Sequence, residues 1–238
     1  MRLAILLALP VALGTARADE LLDRLVVPEP PEPYQCGATM TVVSEEGGET
    51  EREVWRRERG AADMTLVDGS PEAFEREAAR REAASEPEAG EPDGEEAEEE
   101  ERVSFGFTPY EVASRTDGLP YERVGEEDGL AVYRAAPLPK DSFAPSGRDM
   151  SKRSSATLHV DGSGEAPVVR RHAFALDREF RVPMIARVRT LDQATTYEEV
   201  GGRMRPAGLV IRFDADVRGN EQKGVTTITL SDWDCPAS

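Results

Sequence analysis

Cysteine and histidine are the scarce reactive side chains of this 238-residue chain, two of each, and their positions limit the chemistry open to it. Cys36 lies just ahead of the first strand-like segment and Cys235 just after the last. In an oxidising compartment the two would form a disulfide tying the ends of a sheet together; the alternative is two separate thiols. Neither cysteine has a histidine near it in sequence and no Cys-x-x-Cys occurs, which leaves no basis for redox or thiol-protease chemistry. His159 and His172 lie on the two arms of a hairpin turning at residues 161–164, a spacing that sets position 159 across from about position 167 and leaves His172 further along. A shared zinc site needs both imidazoles and added carboxylates, so surface histidines are expected and no metal is assigned.

Other motifs fail on residue type. Asp68-Gly69-Ser70-Pro71 and Asp161-Gly162-Ser163-Gly164 read as turns, and neither is the Gly-x-Ser-x-Gly elbow of a serine hydrolase. Asp214-Ala215-Asp216-Val217-Arg218-Gly219 begins like a calcium loop, but Arg218 stands where the fifth-position oxygen belongs and Val225 where the closing glutamate belongs. Asp214 and Asp216 fit better as partners of the arginines at 181–189. With 47 acids a carboxylate pair for hydrolysis is open, yet no two are singled out. No catalytic residue and no cofactor are assigned.

The start of the chain speaks to compartment. Arg2, the apolar run Leu3–Leu13 and Ala16-Arg17-Ala18 match an export leader cut near Ala18. The run is well short of the ~20 residues of a membrane-spanning helix. The expectation is a periplasmic or secreted protein that is not integral to a membrane. Losing residues 1–18 removes two arginines and no acid, moving the formal charge from −18 to −20. Such a chain is repelled by nucleic acid, which is excluded as a partner. Ten of the acids fall within residues 86–101, without one base and interleaved with Pro87, Gly90, Pro92 and Gly94. That window reads as a disordered insertion, since like charges at this density repel and bury nothing.

The elements that must position any site are mostly strands. Residues 19–35 read as a short helical segment and a proline-rich arm. Ala38–Val43 and Thr50–Glu58 flank Gly47-Gly48 as a hairpin, followed by a third strand at Asp63–Val67. Ser70-Pro71 starts a surface helix to about Ala84, supported by Glu72/Arg76 and Glu77/Arg81 at i,i+4. Beyond Val103 the strand signal returns: Tyr121–Val124 with Leu130–Arg134, Ala156–Val160 with Val168–Leu176, then a strand in which Val182, Met184, Ala186 and Val188 share one face. Thr195–Val200 and Arg203–Arg205 surround Gly201-Gly202, Leu209–Val217 alternates most cleanly, and Thr226–Leu230 closes the series. Residues 36–238 therefore read as one β-rich domain interrupted at 70–102 by the helix and the acidic insertion. The fold class expected is mainly β (α+β), a curved antiparallel sheet or incomplete barrel of nine to eleven strands with few helices.

Leu158-His159-Val160-Asp161, Glu165-Ala166-Pro167-Val168, Thr196-Tyr197, Gly201-Gly202, Pro206 and Thr227-Ile228-Thr229-Leu230-Ser231-Asp232-Trp233 together resemble the exported half-barrel proteins of the lipoprotein-carrier (LolA/LolB-like) superfamily. The resemblance spans about residues 100–235, with weaker agreement at 38–67. It implies an incomplete antiparallel barrel over helices, with an apolar interior that receives acyl chains. The chain departs from it in having few amphipathic helices and in the insertion at 86–101, and no functional residue of the carriers maps onto it. The expected function is non-enzymatic: binding a hydrophobic ligand, a lipid or acyl chain, or an envelope protein partner. Val182, Met184, Ala186, Leu209, Ile211 and Phe213 are the expected lining. The alternatives are a carboxylate-dependent envelope hydrolase and an assembly protein that docks a basic partner through the acidic window.

Overall fold

Alternation with a period of two, broken by glycine pairs, sends most of the chain into antiparallel hairpins. The structure, a computed structural model, describes residues 20–25, 36–61, 63–85, 119–143, 149–182 and 186–235. The leader, the proline-rich arm, the acidic window 86–101 and Met184 lie outside the described residues. Helices α1 (Glu20–Asp23) and α2 (Pro71–Ser85) accompany eleven strands among the described residues. These are β1 (Gly37–Glu46), β2 (Glu49–Arg57), β3 (Thr65–Asp68), β4 (Glu122–Glu127), β5 (Leu130–Ala135), β6 (Ser154–Asp161), β7 (Val168–Leu176), β8 (Phe180–Val182), β9 (Ala186–Val200), β10 (Arg203–Val217) and β11 (Asn220–Asp234).

All eleven belong to one curved sheet in the order β3-β2-β1-β11-β10-β9-β7-β6-β5-β4, with β8 also paired to β9. The neighbours are sequential hairpins except where β9 pairs with β7 across the intervening β8, and at the seam where β1 pairs with β11 and brings the two ends of the domain together. Cys36 and Cys235 are bonded across that seam, S–S 2.19 Å. Tight turns fall on glycines with left-handed backbone, Gly47 and Gly48 at φ 61° and 87°, and Gly201 and Gly202 at 61° and 72°.

Cross-strand register places the apolar residues on one face. Tyr133 pairs with Leu158, Leu158 with His172, His172 with Thr195, Thr195 with Leu209, Leu209 with Ile228, Ile228 with Val42. The other face carries Thr157, Ala173, Ala194, Val210, Thr227 and Val43 in the same succession. Three buried clusters sit on the apolar face. One joins Ala135, Ala156, Phe174 and Leu176 to Leu138, Phe143 and Met150 of the β5–β6 connection. The second joins Ala131, Tyr133, Leu158, Val160 and Tyr197 to Leu21, Leu22 and Leu25 at α1. The third is Met40, Leu209 and Ile228, flanked by Trp55 and Ile211.

Two expectations about strand limits are corrected. The segment 182–188 is not one strand: Val182 pairs with Ala186, so the chain reverses between them and β8 pairs antiparallel with β9 as its short partner. Pro183, which removes a ladder donor, is the signal for that break. Pro206, by contrast, does not separate Arg203–Arg205 from the next strand. β10 runs through it because the register slips between Pro206 and Gly208, a bulge that tolerates proline.

Gly224 is fixed by space. A Cβ there would lie 2.8 Å from the Glu45 carbonyl oxygen and 2.9 Å from the Phe213 ring, which is stacked on the glycine. Gly224→Ala should cost about 1–3 kcal/mol of stability through forced displacement of β1 or Phe213, read as a lowered urea midpoint.

Helix α2 starts as expected, Ser70 Oγ accepting from the Ala73 N–H at 3.1 Å. Of the two i,i+4 pairs, Glu77–Arg81 forms at 2.6 Å, while Arg76 reaches instead to Glu53 of β2 at 2.8 Å. Glu77 is only 5 % exposed and also binds Arg80, whose hydrogen bond, ahead of Arg81's, holds its carboxyl below the ordinary 4.5 despite burial. A depressed folded pKa contributes stability that is complete above about 4.5 and is lost as pH falls through the folded value. Acidification below pH 4.5 should therefore loosen α2, and Glu77→Gln should remove that step from a pH series of helix amide signals.

Candidate functional site

The lining expected from sequence resolves into three parts. Leu209 is 7 % exposed and closed into the cluster with Met40 and Ile228, so it is core. Ile211 and Phe213 follow it along β10 on the same face and are half-buried, as is Ala186 at the start of β9. The Val182 backbone pairs with Ala186, and Met184 lies outside the described residues.

Register adds residues that the sequence reading missed. Leu191 and Gln193 of β9 stand opposite Phe213 and Ile211, and Thr226 of β11 stands opposite Ile211 on its other side. Leu230 pairs with Met40 and Met40 with Trp55, carrying the apolar face onto β2. All except Met40 are half-buried. The signal in β9 is faint, because Leu191 is the one large aliphatic residue in Thr190–Thr196 and only its partner strand shows which parity faces inward.

The face is not purely hydrocarbon. His172 (4 % exposed), Thr195 (3 %) and Tyr197 (5 %) are buried on it, and the His172 ring meets Phe174 edge-on with centroids 4.6 Å apart. Ser44 Oγ and Thr226 Oγ1 lie 3.4 Å apart on its β1–β11 part, and the Trp55 indole donates to Glu53 at 3.0 Å. Burial pushes the Tyr121 phenol, which touches two of the clusters, well above its ordinary pKa of 10.

The histidine reading is corrected in two respects. Neither imidazole is at the surface, His159 being 7 % exposed. The hairpin turn is wider than residues 161–164, since Asp161 pairs with Val168, so position 159 faces Arg171 rather than 167. His172 then faces Leu158, and the two histidines project to opposite faces of the sheet. His159 Nε2 lies 2.9 Å from Glu127 Oε2. Among the described residues no group of three His, Cys, Asp or Glu side chains is placed to hold a metal ion.

Carboxylates with displaced pKa values among the described residues are all displaced downward. Hydrogen bonds from Ser163 and then Arg170 hold Asp161 down, Arg187 and Arg181 do so for Glu179, and Ser151 does so for Asp149. Asp214 pairs with Arg189 at 2.7 Å, as the spacing suggested, whereas Asp216 accepts from the Gly219 N–H at 2.8 Å and shapes the β10–β11 turn.

No family model, curated protein or solved structure matches the chain.

Proposed function

We propose that this is an exported, non-enzymatic protein of the cell envelope that receives a hydrophobic ligand, a lipid or acyl chain, on the apolar face of its sheet. One observation carries the reading: that face continues across β9, β10, β11 and β1 between the closed clusters, and there Leu191, Ile211, Phe213 and Leu230 are half-buried rather than sealed. A finished core excludes water from side chains of this size, whereas a lipid site keeps them available to a chain laid over them. The antiparallel sheet with two unpaired edges, β3 and β4, is in keeping with the incomplete barrel that the lipoprotein-carrier resemblance implies, and it supports the same reading. Among the described residues no helix is long and apolar enough to cross a membrane.

Delipidated protein titrated with a fluorescent fatty acid tests the proposal. Saturable uptake at one or a few sites is expected. Absence of uptake from a sample whose near-ultraviolet circular dichroism shows native packing would refute it.

A further inference from the structure

Arg205 differs from the described arginines around it in what surrounds it. Exposed arginines such as Arg171, Arg178 and Arg212 stand in water, and half-buried Arg170 and Arg189 rest on Asp161 and Asp214 at 3.1 and 2.7 Å. Arg205 is half-buried and forms no ion pair among the described residues, its guanidinium carbon 5.4 Å from the centre of the Trp233 ring. Its Nε and the Trp233 Nε1 are both closed to solvent and have no acceptor. Two neighbouring N–H donors are thus buried without a protein acceptor, a costly arrangement that a bound acceptor would relieve.

The local charge points the same way. Burial first, then the positive charges of Arg203 and Arg57, lower the Arg205 pKa. Nearby acceptors are engaged elsewhere: Arg57 donates to the Cys36 carbonyl at 3.2 Å, and Arg59 takes Asp234 at 2.5 Å and the Cys235 carbonyl at 3.0 Å. Glu198 stands opposite Arg205 across the strands and forms no ion pair with it. At this end of the sheet, beside the disulfide, Arg203 and Arg57 stand close enough to Arg205 to act on its charge, and the two dry donors lie among them.

We propose that Arg205, Trp233 and Arg203 form a binding site for a phosphate-type oxyanion, carried by free phosphate or by a phosphorylated headgroup. A phosphate presents several acceptor oxygens in three dimensions, enough for a guanidinium edge and an indole N–H together, and up to two negative charges for the surrounding cations. A carboxylate offers two oxygens in one plane. The site stands whether or not the apolar face takes a lipid.

Trp233 is one of two tryptophans, so emission reports on the site directly. The whole exported chain is titrated with inorganic phosphate at fixed ionic strength, with chloride as control, and phosphorus-31 line broadening is followed in parallel. Binding to phosphatidylglycerol vesicles is measured by co-sedimentation. A saturable phosphate response weakened about tenfold or more by Arg205→Gln, several-fold by Arg203→Gln and not by Arg212→Gln supports free phosphate as the ligand. A response to vesicles alone with the same Arg205 dependence supports a headgroup. A response equal to that of chloride, or one that Arg205→Gln leaves unchanged in a variant with native circular dichroism, overturns the proposal.

Discussion

Replacing Cys36 and Cys235 by serine, or reducing the intact protein, should lower the unfolding free energy by up to about 5 kcal/mol, the chain-entropy value for a loop of this length. The bond joins residues 199 apart in sequence, so it removes more freedom from the unfolded chain than any local contact can. It also sits at a mechanically exposed place. The β1–β2–β3 unit is held to the rest of the sheet through the β1–β11 ladder, from Gly37 opposite Asp234 to Glu46 opposite Gly224. Without the bond, hydrogen exchange should rise first in β1 and β11, ahead of β5 and β6, whose Tyr133, Ala156 and Val160 are fully buried. Equal urea midpoints with and without reductant would contradict this, provided thiol titration shows that the bond was opened.

The second large effect is on binding. Phe213→Asp places a carboxylate in the half-buried middle of the apolar face, opposite Leu191 on one side and Gly224 on the other. Loss of the aromatic surface together with the cost of desolvating a charge should weaken fatty-acid uptake by at least about tenfold. The matched control is Thr229→Asp, exposed and on the opposite face, where it stands across from Gly208. That variant should bind as the wild type does. A Phe213→Asp protein that melts cooperatively and still takes up the probe unchanged would move the site off this face.

The hairpins and the parity of the strands were readable because glycine pairs and clean alternation act locally. Gly47-Gly48 and Gly201-Gly202 fall at the turns, and Leu209, Ile211 and Phe213 share the inward face. What could not be read was set by residues distant in sequence. The alternation of Val182, Met184, Ala186 and Val188 runs through a reversal, so a two-residue period alone reads as one strand. The width of the β6–β7 turn decides which residue faces His159, and that width follows from the pairing of Asp161 with Val168. Leu138, Phe143 and Met150 belong to a connection with no period at all, yet they close the cluster around Phe174. The Arg205–Trp233 stack needs β10 and β11 placed side by side, and no spacing rule links positions 205 and 233.

Native mass spectrometry of the protein purified from its own cells decides whether the apolar face carries a lipid or acyl chain. A mass above that of the polypeptide by the mass of a lipid, lost on denaturation and much reduced in Phe213→Asp, is expected. A bare mature chain, unchanged after incubation with lipid vesicles under native conditions, would contradict it.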